Sequence, residues 1–533
     1  MSLSSSLHEL ETLILSLHPL VVIETPEEQR ARGLVAAAAS ELDLPFFEWS
    51  MTLGLQYGQA AAAGGNPIAT TLSPEGVLRH LRALDREGLY LLKDFGVHLQ
   101  EPGVTRLLRE VCQTFASTAA SVLITGPAVD LPAELEPHAT YLKLRLPDAE
   151  ELREAIDALL RSLRQRLSRR LPERRSGLDR RSGARRGASP RWEGERGGQI
   201  DVALDEPQLE QLVQALRGMT LNQARQAVAY AVLEDGKLSA EDVGRITDRK
   251  ARLIQDSGLL EYFPAEDNDF ELGGFDRLQA WLERAHQGFS LEAARLNLAP
   301  PRGLLLAGVQ GCGKSLAAKV IARRWRQPLL KLDAGRLYDK YVGESERNLR
   351  RALELAEAME PVVLWIDEIE KAFGASAADS HDGGLSRRLQ GHLLTWLQER
   401  RARVFVVATA NDVFALPPEL VRKGRFNEVF FVDLPTSRER REIFEIHLRR
   451  RRQQPEAFQL DDLVLASDGM TGAEIEQTVI SGLYRALHEQ RPLDDALLLR
   501  EIDAAIPLSV SRREEVERLR SLARERFVPV SSR

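Results

Sequence analysis

The second half of this 533-residue chain predicts an α/β fold with a mostly parallel sheet. Three observations predict it. From Pro300 onward, apolar runs of strand length alternate with helical patterns at short spacing. The first run passes without a break into a glycine-rich loop and then a helix. The later runs end in acids or asparagine, as buried strands do where their C-terminal ends open on a ligand crevice.

The first strand is read as Gly303 to Ala307. It leads into Gly308-Val309-Gln310-Gly311-Cys312-Gly313-Lys314-Ser315, which fits G-x-x-x-x-G-K-[ST], and a helical pattern follows through Ala317, Ala318, Val320 and Ile321. Glycines let such a loop curl so that its N–H groups and the helix N-terminus face a phosphate. Lys314 brings a point charge to the β/γ-phosphates, and the Ser315 hydroxyl can ligate Mg²⁺. A chance glycine-rich turn is the competing reading, and the matching flanks argue against it. The second strand, Val362 to Ile366, ends in Asp367-Glu368. There Asp367 would hold Mg²⁺ through water and Glu368 would polarise an attacking water, although a strand can also end in acids that merely cap the next helix. The third strand, Val404 to Ala408, ends Thr409-Ala410-Asn411. Asn411 would orient the same water beside Glu368; taken alone it reads equally as a turn asparagine.

Composition narrows the class. With 43% apolar and 28% charged residues the chain is globular, and its length suits three or four folding units. Two cysteines, Cys112 and Cys312, make no disulfide framework, and no run of 18 apolar residues or basic signal start is present, so a cytoplasmic protein without a membrane span is expected. The net charge of −7 hides one basic block: residues 161–196 carry thirteen arginines against four acids, +9, which leaves −16 elsewhere. This block is rich in Gly, Ser and Pro and poor in apolar residues, and it reads as a disordered insertion.

These motifs resemble the AAA clade of the AAA+ ATPases across about Asp269 to Ala486. The resemblance rests on Leu272-Gly273-Gly274, the phosphate loop, Tyr341-Val342-Gly343-Glu344-Ser345-Glu346, Trp365-Ile366-Asp367-Glu368, Ala408 to Asn411, Leu416 to Phe426, and Met470-Thr471-Gly472-Ala473-Glu474-Ile475. It implies a P-loop NTPase core with a helical lid, ATP and Mg²⁺ as cofactors, and Gly273 and Gly274 beside the nucleotide. Asn411 is then the sensor-1 residue, and Arg422 and Arg425 are paired arginine fingers. Gly472-Ala473 stands where many relatives keep a sensor-2 arginine. A finger completes a neighbouring subunit's site, so the resemblance also implies a ring, by precedent a homo-hexamer. Tyr341, Val342 and Gly343 resemble a pore loop that grips an extended polypeptide, and the loop around His381 and Asp382 could be a second one.

The first half reads as a worn copy of the second. Leu131-Pro132-Ala133-Glu134-Leu135 followed by Tyr141 to Pro147 parallels Leu416-Pro417-Pro418-Glu419-Leu420 followed by Val429 to Pro435, and Gly218-Met219-Thr220 echoes Gly469-Met470-Thr471. Pro147 to Gly218 spans 71 residues and Pro435 to Gly469 spans 34; the difference of 37 is close to the length of the Arg-rich block, which places that block inside a helical lid. The copy lacks the chemistry. Strand Leu20 to Ile23 leads into Glu24-Thr25-Pro26-Glu27-Glu28-Gln29-Arg30, and strand Leu89 to Leu92 leads into Lys93-Asp94-Phe95, with Phe95 read in place of the glutamate. The expected domains are a degenerate AAA-like α/β module at 1–160, the insertion at 161–198, that module's helical lid at 199–256, the active core at 257–436, and a second lid with a C-terminal tail at 437–533. With Pro507-Leu508-Ser509 and the tail Arg524 to Ser531, this layout resembles the AAA ATPase family known as hypothetical chloroplast reading frame forty-six.

The leading expectation is an ATP-hydrolysing ring motor that remodels or disassembles a protein client. The competing class is a nucleotide-gated scaffold or nucleic-acid-binding switch using the Arg-rich block. That block has one aromatic, Trp192, and so lacks stacking platforms, which makes nucleic acid the weaker reading. Cys312 lies where the helix dipole would favour a thiolate, so a redox switch is a second, lesser expectation beside a simple need for a small residue.

Overall fold

The computed structural model describes residues 3–58, 68–84, 86–127, 129–169, 201–202, 204–256, 258–264, 271–333, 344–373, 385–400, 402–422 and 424–531. It divides into two compact units, Met1–Ile246 and Thr247–Arg533. Tyr341, Val342, Gly343, His381, Asp382 and residues 170–196 of the Arg-rich block lie outside the described residues.

In the first unit, six strands form one sheet: β1 (Leu20–Glu24), β2 (Phe46–Ser50), β3 (Gly54–Tyr57), β4 (Leu89–Lys93), β5 (Ser121–Gly126) and β6 (Ala139–Lys143). Their order is β3-β2-β4-β5-β1-β6, parallel except for the β2–β3 hairpin. Alternate residues divide between two cores, as a strand's two-residue period requires. Leu20, Val22, Tyr90 and Leu92 face the helices Pro74–Arg82 and Pro102–Phe115. Val21, Ile23, Leu89 and Leu91 face the helices Leu3–Leu15 and Glu28–Glu41. The helix Ala149–Arg169 opens a helical bundle with Glu206–Leu216, Leu221–Asp235 and Ala240–Asp256, beside the short pair β7 (Asp201–Val202) and β8 (Lys237–Leu238). The first nine residues of the predicted insertion are thus helical, because the pattern Leu152, Ile156, Leu160, Leu163 carries one apolar face through into the bundle core.

The second unit holds a seven-stranded sheet: β9 (Leu260–Phe263), β10 (Gly303–Gly308), β11 (Leu329–Asp333), β12 (Val362–Asp367), β13 (Val404–Ala410), β14 (Glu428–Val432) and β15 (Val528–Pro529). The order is β15-β14-β10-β13-β12-β11-β9, with only β9 antiparallel. All of β10 and β13 is buried, which explains their unbroken apolar sequences. Four lid helices follow: Ser437–Arg450, Leu460–Ala466, Gly472–His488 and Asp495–Ala504. The tail is helical over Arg513–Arg526 and then adds β15 at the sheet edge, a pairing the sequence reading did not include.

With the edge strands β3, β9 and β15 set aside, both sheets share one order. Numbered by appearance within each unit, β6-β1-β5-β4-β2 and β14-β10-β13-β12-β11 are each fifth, first, fourth, third, second. Both lids also contain a helix opened by a capping box, Thr220 with Gln223 and Thr471 with Glu474, after a glycine at positive φ and a buried methionine. The fold is therefore a P-loop α/β core with a lid and a helical tail, preceded by a module of the same topology.

Leu364 at the centre of β12 is fully buried. Leu364→Ala should cost the second unit about 2–5 kcal/mol, read as a lowered denaturation midpoint for that unit by chemical unfolding.

Candidate active site

The loop Gly308–Ser315 crosses the C-terminal end of β10, where the strand order reverses and the crevice of an open α/β sheet lies. Gly313 caps the following helix, Lys314–Arg324, at φ 90°, a conformation that side chains resist. Gly308 is needed for closeness, since a Cβ there would lie 2.1 Å from Val432 O. Gly308 and Val309 are buried beneath the loop, while Gln310, Gly311, Cys312, Gly313, Lys314 and Ser315 line a cleft of about 1950 Å³.

Lys314 is 5% exposed, and its ammonium donates to Gly308 O at 2.8 Å and Val309 O at 2.7 Å. Burial pulls its pKa down to about 8, against the pull of nearby carboxylates at Glu370, Asp367 and Glu368. Register then assembles the acids. Ile366 pairs with Ala408, so Thr409 stands beside Asp367. The Thr409 hydroxyl donates to Asp367 Oδ1 at 2.6 Å and accepts from Glu368 N at 3.1 Å. The Ser315 hydroxyl donates to the same Asp367 Oδ1 at 3.2 Å. Asn411 Nδ2 donates to Glu368 Oε1 at 3.1 Å, and Lys371 forms an ion pair with Glu368. Glu368 sits at φ 49°, a left-handed conformation that stores roughly 1–3 kcal/mol in a non-glycine residue. The turn holds its carboxylate at the cleft rather than along the strand.

The other wall is the lid. Ala473 N donates to Gly311 O at 3.0 Å, and a Cβ at Gly472 would lie 3.5 Å from that same oxygen, so Gly472 and Ala473 lie against the phosphate loop. Gly273 lines the cleft; Gly274, at φ 78°, donates to Glu442 of the first lid helix. Arg422 is exposed and Arg425 half-buried, and neither lines this cleft. Among the described residues, they are the two predicted catalytic residues that do not line the cleft with the others.

Three features escaped the sequence reading. Thr409 ties Asp367 to Glu368 across two strands, a role visible only once the register is fixed. Glu370 accepts from Asn411 N at 2.9 Å and is pushed upward in pKa by its burial. From the tail, Arg520 pairs with Asp433 at 2.8 Å, and Ser531 accepts from Phe275 N while bonding Glu439. One expectation reverses: Cys312 is 8% exposed, and burial drives its thiol up to about 12, so the loop disfavours the thiolate that the helix dipole alone would support.

The first unit shows the same geometry with the charge reversed at the end of the third strand in chain order, edge strand aside. Lys93 pairs with Thr125 of β5 as Asp367 stands beside Thr409, and the residue after each, Asp94 and Glu368, has nearly the same φ of 51° and 49°. Asp94, not Phe95, therefore occupies the glutamate's place; Phe95 is fully buried like its counterpart Ile369. Lys93 binds Glu28 at 3.2 Å and Glu48 at 3.0 Å, and Glu48 also takes Arg32. The loop is shorter: five positions separate Ile23 from the helix start at Glu28, against eight from Leu306 to Lys314. Glu27 accepts from Leu221 N of the lid helix at 2.6 Å and pairs with Arg30, which also holds Glu151. Carboxylates thus fill the cationic and N–H partners that a phosphate would need.

Comparison with known proteins agrees with this geometry. Residues 304–434 match the ATPase family associated with various cellular activities (AAA), residues 6–144 the SpoVK-like AAA ATPase N-terminal domain, and residues 183–257 the SpoVK-like AAA ATPase second domain. The "Uncharacterized AAA domain-containing protein ycf46" of Trieres chinensis is 32% identical over 525 residues, covering 97% of this chain and 96% of that protein. The chain belongs to the ycf46 family of AAA ATPases. The homologue of Pyropia yezoensis is 31% identical, with 97% of each chain covered. The proteasome-activating nucleotidase of Methanocella arvoryzae is 32% identical over 236 residues, 43% of this chain and 54% of that one. Family membership carries ATP binding and ATPase activity in general terms.

The donor set fits Mg²⁺–ATP. Loop N–H groups and Lys314 suit phosphates, and Ser315 with Asp367 offers one hydroxyl and one carboxylate, enough for a metal that takes its other ligands from phosphate and water. Two outcomes follow. Because Lys314 must be charged to hold phosphate, ATP affinity should weaken as pH rises through about 8, by about tenfold at pH 9, in a fluorescent-nucleotide titration. Thr409→Val should retain ATP binding yet lower turnover about 10–100-fold in a phosphate-release assay, since Asp367 and Glu368 lose their shared tie.

Proposed function

We propose that the second unit hydrolyses ATP with Mg²⁺ and that the chain works as a head-to-tail homo-hexameric ring that remodels or disassembles a protein client. One observation carries this reading: Ser315, Asp367, Thr409, Glu368 and Asn411 form a continuous hydrogen-bonded line on the cleft floor beside Lys314, while Arg422 and Arg425 stand outside that cleft. Bound Mg²⁺–ATP supplies a γ-phosphoryl group for transfer to water. Lys314 and the loop N–H groups hold the phosphates, and Ser315 and Asp367 hold the metal. Glu368, aimed by Asn411, positions and polarises the water.

Arg422 and Arg425, remote from their own cleft, are assigned to a neighbour's site, where a guanidinium neutralises charge on the transferred group. Tyr341, Val342 and Gly343 are assigned to client grip by their motif alone. Support for action on a protein comes from the proteasome-activating nucleotidase, matched over 43% of this chain. The first unit, its phosphate position taken by Glu27, Arg30, Lys93 and Glu28, is read as a non-hydrolysing module. The Arg-rich block is read as an insertion in that module's lid. Two unpaired cysteines support a cytoplasmic setting, and no described helix is long and apolar enough to cross a membrane.

Glu368→Gln should retain ATP, lose at least about 100-fold in turnover, and give particles of six chains by mass photometry when ATP is present. Wild-type turnover in this variant, or a monomer that hydrolyses ATP, would contradict the reading.

A further inference from the structure

The loop that carries Arg425 is fastened with unusual thoroughness. Asn427 Oδ1 accepts from Arg302 N at 2.6 Å and from Gly303 N at 3.0 Å, and Asn427 N donates to Gly303 O at 2.8 Å. On the other flank, the Arg302 guanidinium donates to Gly424 O. Arg302 O in turn accepts from Arg400, whose guanidinium lies 4.4 Å from the Trp396 ring, and Trp396 Nε1 donates to Glu357 at 2.8 Å. Phe426 is buried in the core.

Against this backbone anchoring, Arg425 itself is left uncommitted: its Nη1 is buried and has no hydrogen-bond partner among the described residues. Buried arginines elsewhere in the unit differ: Arg400 Nη1 is likewise without a partner among the described residues, whereas Arg440 is saturated. Arg440, 6% exposed, donates to Val464 O and Pro435 O and pairs with Asp468. An unpaired buried guanidinium nitrogen costs free energy, which an anion supplied from outside would recover.

We propose that Asn427 is a positioning residue for Arg425, fixing the arginine's loop to the start of β10 so that the guanidinium is presented to the nucleotide of a neighbouring subunit. This rests on the trans assignment of Arg425 made above. The amide is suited to the task because one carbonyl oxygen takes two backbone N–H groups and the residue's own N–H returns a third bond; aspartate can do the same, and alanine cannot. The anchor point is itself rigid, since a Cβ at Gly303 would lie 2.1 Å from Val406 O. The other end of the same strand is Gly308, whose carbonyl holds Lys314. One buried six-residue strand therefore carries the chain's own phosphate loop at one end and the arginine offered to its neighbour at the other.

Mixed rings test this. Lys314→Ala chains lack a working site but keep Arg425, and Arg425→Ala chains keep the site but lack the arginine. Mixed before assembly in the presence of ATP, the two inactive variants should restore turnover if Arg425 acts in trans. Asn427→Ala added to the Lys314→Ala chain should cut the restored turnover about tenfold or more, and should cut it far less when added to the Arg425→Ala chain. Asn427→Asp on the Lys314→Ala chain should restore turnover as well as Asn427 does. Equal losses in both placements, or no loss in either, would overturn the proposal. Failure of the parent pair to complement would instead remove the trans assignment, and this inference with it.

Discussion

Strand β10 is buried along its whole length between β14 and β13, and a glycine closes each end because a Cβ would meet a neighbouring strand's carbonyl oxygen at 2.1 Å. The functional parts hang from this constraint. At the C-terminal end the chain turns into the phosphate loop, and β13, with β12 beyond it, delivers Thr409, Asn411 and Asp367 at fixed register. At the N-terminal end Asn427 and Arg302 fasten the loop that bears Arg425. A strand with no slack holds the phosphate loop and the Arg425 loop, at its two ends, in fixed relation.

The two units show how one topology supports opposite electrostatics. In the second, the helix after the first strand begins with Lys314 and the third strand ends in Asp367; in the first, the corresponding places hold Glu28 and Lys93, which pair with each other. Exchanging the signs turns a cleft that attracts phosphate into one that satisfies itself. The lid helices make the same point. Ala473 N meets a loop carbonyl in the second unit, whereas Leu221 N meets the carboxylate of Glu27 in the first. A protein anion already sits at that helix N-terminus, where an anion is most stabilised.

Much of this was legible in the sequence because strand ends and glycine-rich loops are local. The loop Gly308–Ser315, the acids at 367 and 368 and Asn411 fall where their spacing placed them. What the sequence could not show depends on long-range pairing or on burial. Asp94 rather than Phe95 takes the glutamate's place because the strand extends one residue further, to Lys93, before the left-handed turn. Thr409 gains its role, and Asn427 the one proposed for it, only from partners distant in sequence. Cys312 looked poised for ionisation until burial was known, and β15 is too short to carry a periodic signal.

The central claim is that this chain has one working nucleotide site, in its second unit, and a self-satisfied copy in its first. Counting bound nucleotide per chain by native mass spectrometry of the Glu368→Gln protein tests it most directly. The account predicts one ATP per chain, lost on adding Lys314→Ala. A second nucleotide, or one that survives Lys314→Ala, would contradict it.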